Sequence, residues 1–223
     1  MGDVIYIDRY RQARRATRPA SPTAVQDAAV RPTTFYFDLG SPFTYLAVER
    51  VDRVFAELTW EPASDEALQR RDPWSDPLAR AAAERRAAAL NVPLVWPERP
   101  AQGARGAMRA AAHAAECGRA ATFVVAAARL AFCGGFDLDD CEVLAEAAAA
   151  AGLSLEACLQ AARDPRRDGP IEATGRRLLA AGAERLPAFR VGRSILGGEQ
   201  RLAEAPALAR ASAGGPGRVP FAG

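Results

Sequence analysis

The amino-acid sequence predicts an α/β fold in which a four-stranded mixed sheet is interrupted by an all-helical insertion. Short runs of β-branched and aromatic residues occur near residue 34 and again after residue 186, and the chain between them is rich in alanine. Alanine accounts for 52 of the 223 residues, and it is the strongest helix former. A strand–helix–strand unit at one end and a hairpin at the other can complete a single sheet.

The first unit of the sheet begins with a buried strand at Thr34–Phe37. Ser41 and Pro42 then open a helix, because serine is a favoured N-cap and proline a favoured first helical residue. Residues 58–60 predict a second strand, which Pro62 stops. The crossover between the two strands is expected to be right-handed, with the strands parallel.

The middle of the chain predicts a series of alanine-rich helices. An aspartate-led capping box at Asp139–Glu142, a C-cap at Gly152 and an N-cap at Ser154 mark the ends of two of them. The predicted helices lie near residues 78–90, 104–116, 119–132, 139–151 and 154–163.

The strand pattern returns near the end of the chain. Residues 171–183 predict a helix, residues 186–191 a strand and residues 194–196 a second strand, joined by a turn at Gly192. A short helix over residues 199–211 is expected to follow.

These elements divide the chain into four parts. Residues 1–32 carry six Arg and three Asp and predict a disordered basic arm. Residues 33–62 and 171–211 together predict the sheet domain, residues 63–170 the helical insertion, and the Gly- and Pro-rich residues 212–223 a flexible tail.

The composition narrows the possible chemistry. All 29 basic residues are Arg, which excludes Schiff-base lysines and the lysine of a phosphate-binding loop. The single histidine, His113, excludes histidine metal clusters, and we expect no metal cofactor. The net charge of +2 does not indicate a nucleic-acid partner.

No apolar run approaches the roughly 20 residues that span a bilayer. The sequence therefore predicts no membrane association, and we expect a cytoplasmic protein. The four cysteines, at positions 117, 133, 141 and 158, form no C-x-x-C pair. We expect them to be reduced, small apolar residues buried on helices, with a Cys141–Cys158 disulfide as the alternative.

Two segments resemble a known family. Phe-Tyr-Phe-Asp-Leu-Gly-Ser-Pro-Phe at residues 35–43 resembles the opening of the DsbA-like thioredoxin-fold superfamily, and its Ser-Pro-aromatic step is similar to 2-hydroxychromene-2-carboxylate isomerases and kappa-class glutathione transferases. Residues 186–202 resemble their cis-proline strand and last helix. The resemblance spans about residues 33–205 and implies that the four-stranded mixed sheet is thioredoxin-like.

The start of the first helix is the place where chemistry is expected. A helix N-terminus carries about +0.5 of an elementary charge and stabilises an anion there. Oxidoreductases of this topology place C-x-x-C at this point, whereas this chain has Ser41 and Thr44. It therefore lacks the dithiol that disulfide exchange needs, and the site is suited to an external thiolate.

The resemblance implies a role for each site residue. Ser41 is expected to hydrogen-bond and activate the sulfur of glutathione or another low-molecular-weight thiol, and Asp38, Phe43 and Tyr45 are expected to line the substrate cleft. The cofactor-binding positions that it implies are Thr44, Leu186, Pro187 with a cis peptide bond, Glu199 and Gln200.

Two positions depart from the family pattern. Ala63–Glu66 stands where relatives have Leu-Leu-Gly-Gly, and Gln200 stands where they have an Asp that meets the γ-glutamyl end of glutathione. A glutamine does not supply the carboxylate that pairs with an ammonium group. The cofactor is therefore predicted as glutathione or another low-molecular-weight thiol.

The sequence thus predicts a thiol-dependent isomerase or transferase acting on a small hydrophobic electrophile between the sheet domain and the insertion. The alternatives are a thiol-disulfide oxidoreductase and a non-catalytic binding protein with a degenerate site. Ser41 has a purely structural interpretation as an N-cap, and a hydrolase would need it to pair with His113. A homodimer through the apolar insertion is a further expectation.

Overall fold

The structure, a computed structural model, describes residues 33–51, 53–55, 57–68, 76–97 and 104–213. The predicted basic arm at residues 1–32 lies outside the described residues. The predicted tail lies outside them from residue 214 on, while residues 212 and 213 belong to the last helix.

The sheet has four strands in the spatial order β2-β1-β3-β4, and β1 is parallel to β2 but antiparallel to β3. Strands β3 and β4 form an antiparallel hairpin. This arrangement confirms the predicted four-stranded mixed sheet. The strands are β1 Thr33–Phe37, β2 Thr59–Pro62, β3 Ala188–Val191 and β4 Ser194–Gly197.

The register brings three chain segments to one edge of the sheet. Phe37, the last residue of β1, pairs with Pro62 at the end of β2, and Tyr36 pairs with Ala188, the first residue of β3. The turn after β1, the loop after β2 and the residues that lead into β3 are therefore neighbours. Pro62 is tolerated within β2 because the strand is at the edge of the sheet.

Eight α-helices lie within the part of the chain that the structure describes. They agree closely with the predicted alanine-rich stretches, although the helix predicted to begin at Ile171 begins three residues earlier, at Asp168. The helix predicted over residues 199–211 is instead a 3-10 turn at Glu199–Ala203 followed by an α-helix at Ala205–Ala213. The helices are α1 Pro42–Val51, α2 Pro77–Leu90, α3 Arg105–Glu116, α4 Ala120–Phe132, α5 Cys141–Ala151, α6 Leu155–Ala162, α7 Asp168–Ala180 and α8 Ala205–Ala213, with 3-10 turns at Glu66–Leu68, Pro165–Arg167 and Glu199–Ala203.

Helix ends in the insertion follow the predicted signals with one shift. The N-cap of α5 is Asp140, whose carboxylate accepts from the Glu142 amide at 2.8 Å, so the cap lies one residue after the predicted Asp139. Gly152 ends α5 in the left-handed conformation at φ 66°, which glycine adopts without a Cβ clash. The Ser154 hydroxyl caps α6 as predicted.

The sheet and the insertion share one hydrophobic core. Phe35 is fully buried and contacts Trp60 and Phe189 at ring-centroid distances of 4.8 and 5.0 Å. The same buried cluster continues through α1 into the alanine faces of α3, α4 and α5. Alanine side chains let these helices approach closely, so the insertion is an integral layer packed on the sheet.

The cysteines do not follow the predicted burial. Only Cys158 is buried, whereas Cys117, Cys133 and Cys141 are exposed. All four thiols are free, so the alternative of a Cys141–Cys158 disulfide is not present. The prediction was wrong for three of them because these cysteines lie at the ends of α3, α4 and α5, beyond the apolar faces.

Candidate active site

Ser41 lies at the amino end of α1, directly after the turn that follows β1. Its main-chain N–H donates to Asp38 O at 3.1 Å, and its carbonyl accepts from the Thr44 amide at 3.0 Å. The Ser41 residue is only 3% exposed. Among the described residues its hydroxyl has no hydrogen-bond partner, so the main chain closes the first turn and Ser41 does not act as a side-chain cap.

Thr44 fastens the helix to the strand. Its side-chain oxygen accepts from the Asp38 amide at 3.3 Å, and the residue is fully buried. The next amide, that of Leu39, donates to the Met108 sulfur of α3 at 3.2 Å. The turn that presents Ser41 is thereby held by both α1 and the insertion.

Asp38 is a buried carboxyl group at the end of β1. One oxygen accepts from the Gly40 amide at 2.8 Å and the other from the Asp65 amide at 2.9 Å. Burial, followed by the nearby charge of Asp65, raises the pKa of Asp38 to about 7, although the two amide bonds oppose this rise. The Asp38 carboxyl group therefore changes between its protonated and its charged form near neutral pH.

Asp38 lines a small cavity between α3, α7 and the loop after β2. Its volume of about 30 Å³ leaves room for about two water molecules. Charged side chains surround the opening. The other lining residues are Ser64, Glu66, Arg105, Met108, Asp168, Ile171 and Glu172.

The three residues predicted to line one cleft lie in different surroundings. Phe43 is half-buried against the core. The Tyr45 hydroxyl donates to Pro93 O at 2.8 Å, and the Tyr45 ring stacks on Phe132 at 6.0 Å. Tyr45 lines a separate cavity of about 430 Å³ at the other end of α1, because the helix turns it toward α4 rather than toward Asp38.

The loop before β3 carries the predicted proline. The Leu186–Pro187 peptide bond is cis, as the resemblance implies. Pro187 O accepts from the Gly198 amide at 2.8 Å, which fixes this loop to the end of β4. Leu186 is 3% exposed, and neither its N–H nor its carbonyl has a hydrogen-bond partner within the described residues.

Glu199 is the most deeply buried ionic group of the predicted site. Its carboxylate is 1% exposed and lies between Arg50 of α1 and Arg86 of α2. The Arg86 guanidinium donates to both of its oxygens, at 2.6 and 3.0 Å, and these bonds raise the pKa of Arg86. The Glu199 carboxylate is thus already paired with two arginines of the protein itself, Arg50 and Arg86.

Gln200 and His113 complete the set of sequence-derived candidates. Gln200 is exposed, and its amide lies beside Gly198, which has φ 104°. His113 contacts Cys117 and Glu116, whereas the Ser41 hydroxyl has no described partner. The nucleophile–base pair of a hydrolase is therefore not formed.

The link between Asp38 and Asp65 was not predicted from the sequence. The two residues are 27 positions apart, and each lies just after one of two strands whose ends pair at Phe37 and Pro62. The expected parallel pairing of β1 and β2 could have indicated this link. Residues that follow two neighbouring parallel strands meet at the same edge of the sheet.

The fold and the site together define a thioredoxin-fold protein, with a four-stranded mixed sheet, a helix whose amino end carries Ser41, and a cis-proline loop at the same edge of the sheet. The hydroxyl groups of Ser41 and Thr44 stand in place of the two thiols of a C-x-x-C motif. The model of the DSBA-like thioredoxin domain family matches residues 33–206, and the chain belongs to this family.

Solved structures show the same fold. A 2-hydroxychromene-2-carboxylate isomerase has a TM-score of 0.66 at 18% identity, covering 81% of this chain and 95% of its own. A probable DsbA oxidoreductase from Streptomyces coelicolor has 0.59 at 22%, covering 86% and 93%. The cytosolic disulfide reductase DsbM from Pseudomonas aeruginosa has 0.57 at 18%, covering 81% and 96%. No curated protein matches the chain.

The described residues lack two further features. None of their helices is long and apolar enough to cross a membrane. No group of three or more His, Cys, Asp and Glu side chains among them is arranged to hold a metal ion.

Proposed function

We propose that this protein is an enzyme that binds a low-molecular-weight thiol at the amino end of α1 and uses its sulfur to isomerise or conjugate a small electrophilic substrate. The observation that carries the proposal is the state of Ser41. Its hydroxyl lies at a helix amino end, on a residue that is 3% exposed, and has no hydrogen-bond partner among the described residues. A sulfur anion placed there would receive a hydrogen bond and the favourable field of the helix.

The expected stabilisation of the thiolate is substantial. A hydrogen bond to a charged group contributes about 1.5–3 kcal/mol. A contribution of that size lowers the pKa of the bound thiol by about one to two units. The cofactor would then carry a larger fraction of thiolate, which is the nucleophilic form, at neutral pH.

The loop before β3 supplies a second contact for the same ligand. The free N–H and carbonyl of Leu186 would pair with the cysteinyl main chain of a thiol peptide. Such pairing is that of a short added strand, which derives affinity from main-chain hydrogen bonds. It would orient the sulfur toward Ser41 from the neighbouring segment of the sheet edge.

The chemistry follows from a nucleophilic sulfur in this position. The thiolate lone pair forms a C–S bond with a conjugated carbon of the substrate, and the displaced π electrons move to the substrate carbonyl oxygen. Rotation about the new single bond and expulsion of the thiolate give an isomer. Protonation with retention of the C–S bond gives a conjugate.

The residues at 199 and 200 bear on the identity of the thiol. Glu199 is engaged by Arg50 and Arg86, and Gln200 offers an uncharged amide. The α-ammonium group of glutathione would therefore find no free carboxylate at these two positions. This arrangement favours a thiol without that ammonium group over glutathione.

Calorimetric titration with glutathione, cysteine and coenzyme A tests the proposal on wild type and on Ser41→Ala. We expect one thiol to bind wild type and to bind Ser41→Ala more weakly, while the variant keeps its fold. Ser154→Ala is the matched control, since Ser154 caps another helix. Binding by none of the thiols would support the non-catalytic alternative, and reduction of insulin with a dithiol donor would support the oxidoreductase.

A further inference from the structure

The single histidine of the chain lies beside an exposed cysteine at the carboxyl end of α3. The His113 Nε2 atom is 3.7 Å from the Cys117 sulfur, and the Nδ1 atom is 3.7 Å from a Glu116 oxygen. The Glu116 carboxylate accepts from Arg167 at 2.8 and 3.1 Å. Spacings of three and four residues bring these groups to one helix face.

The Glu116 carboxylate lies beside one nitrogen of the imidazole ring. A negative charge near Nδ1 favours the neutral tautomer with its proton on that nitrogen, which leaves the Nε2 lone pair facing the thiol. The hydrogen bonds from Arg167 hold the pKa of Glu116 below its ordinary value, so the carboxylate stays charged at neutral pH. Arg167 is the last residue of the 3-10 turn Pro165–Arg167, and the charges of Asp164 and Arg166 lie close to it.

Transfer of the thiol proton to the imidazole produces a balanced row of charges. Cys117 becomes a thiolate and His113 an imidazolium, followed by the Glu116 carboxylate and the Arg167 guanidinium. Each negative group then neighbours a positive one, and the four charges sum to zero.

We propose that Cys117 and His113 form a reactive thiol pair that takes up small-molecule disulfides as a reversible mixed disulfide. None of the four residues lines the cavities at Asp38 and Tyr45. The site is therefore separate from Ser41, and the inference does not rest on the proposed function.

The reaction balances within the pair and its disulfide reagent. The thiol proton passes to His113 Nε2, and the Cys117 thiolate attacks one sulfur of the disulfide. A new S–S bond joins Cys117 to that half, and the old S–S bond breaks. The other half leaves as a thiolate and takes the proton back from Nε2. Cys117 is oxidised, the reagent is reduced, and excess thiol reverses the exchange.

The chain offers a matched pair of proteins for the test. In one, Cys133→Ser and Cys141→Ser leave Cys117 as the exposed cysteine among the described residues. In the other, Cys117→Ser and Cys133→Ser leave Cys141 in that role. Each is made with and without His113→Gln, and release of thiopyridone from the neutral reagent dithiodipyridine is followed at neutral pH.

We expect His113→Gln to slow the Cys117 protein about tenfold and the Cys141 protein by less than about twofold. The difference should shrink above about pH 8.5, where an unassisted thiol ionises by itself. Equal rates with and without His113 in the Cys117 protein would overturn the proposal, as would equal slowing in both proteins. If His113→Gln alters the circular dichroism spectrum, Glu116→Gln replaces it, with slowing of about threefold expected and unchanged rates overturning the proposal.

Discussion

The Asp38 carboxylate accepts a hydrogen bond from the main-chain N–H of Asp65 at 2.9 Å. This bond joins the residues that follow β1 and β2, and the same Asp38 carboxylate accepts from Gly40 in the turn that leads to Ser41. The position of the Ser41 hydroxyl, which is the candidate thiol-binding group, therefore depends on Asp38, a buried acid that titrates near neutral pH.

The buried acid predicts a pH dependence of stability. The pKa of Asp38 is about 7 in the folded protein against an ordinary 3.8, so the folded state keeps a proton that the unfolded chain releases first. The free energy of unfolding should therefore fall as the pH rises between these two pKa values, by on the order of 4 kcal/mol in total. Urea unfolding at several pH values should show this fall in wild type and a flatter profile in Asp38→Asn. Equal slopes in the two proteins would contradict the assignment.

Gly175 of α7 controls the approach of the Asp65 loop. A Cβ at this position would lie 2.5 Å from Ser64 O and 2.7 Å from the Ala67 Cβ. We expect Gly175→Ala to displace the loop and to cost about 1–3 kcal/mol in urea unfolding. Gly169→Ala in the same helix meets nothing within 4 Å and should be neutral or slightly stabilising. Similar effects of the two substitutions would show that the loop does not pack as described.

Two serines at helix amino ends should differ in their effect on stability. The Ser154 hydroxyl accepts from the Ala157 amide at 3.4 Å, so Ser154→Ala should cost about 1 kcal/mol. The Ser41 hydroxyl makes no such bond among the described residues, and Ser41→Ala should cost a few tenths of that amount. Denaturant unfolding of both variants checks the contrast. An equal loss would mean that Ser41 is an ordinary cap.

Glu199 should be a major contributor to stability. Glu199→Gln removes the charge that pairs with Arg50 and Arg86, and we expect a loss of about 2–4 kcal/mol in the free energy of unfolding. Glu204→Gln is the control, because that carboxylate is half exposed and pairs with Arg201 at the surface. It should change stability by less than about 0.5 kcal/mol. A loss for Glu199→Gln as small as the control's would exclude a structural role for the buried pairs.

The sheet and the helix ends could be predicted because their signals are local. Thr34–Phe37 reads as a buried strand from a few neighbouring residues, and Gly152 and Ser154 mark helix ends by their own conformational preferences. The position of Ser41 at a helix start could be predicted for the same reason.

The electrostatics of the site could not be predicted, because its partners are distant in the sequence. Glu199 contacts Arg50 across 149 positions, and no local pattern indicates that this carboxylate is already paired. The exposure of Cys117 likewise depends on where α3 ends. Asp38 and Tyr45 line two different cavities. This separation could not be predicted without knowing how α1 packs against α4.

The pKa of the bound thiol is the most direct measure of the central claim. It can be read from the ultraviolet absorbance of the thiolate as pH is varied, in complexes of wild type and Ser41→Ala with whichever of glutathione, cysteine and coenzyme A binds more tightly. We predict that the pKa is lower in the wild-type complex by about one to two units. The same pKa in both complexes would contradict the account, because the Ser41 hydroxyl would then contribute nothing to the sulfur anion.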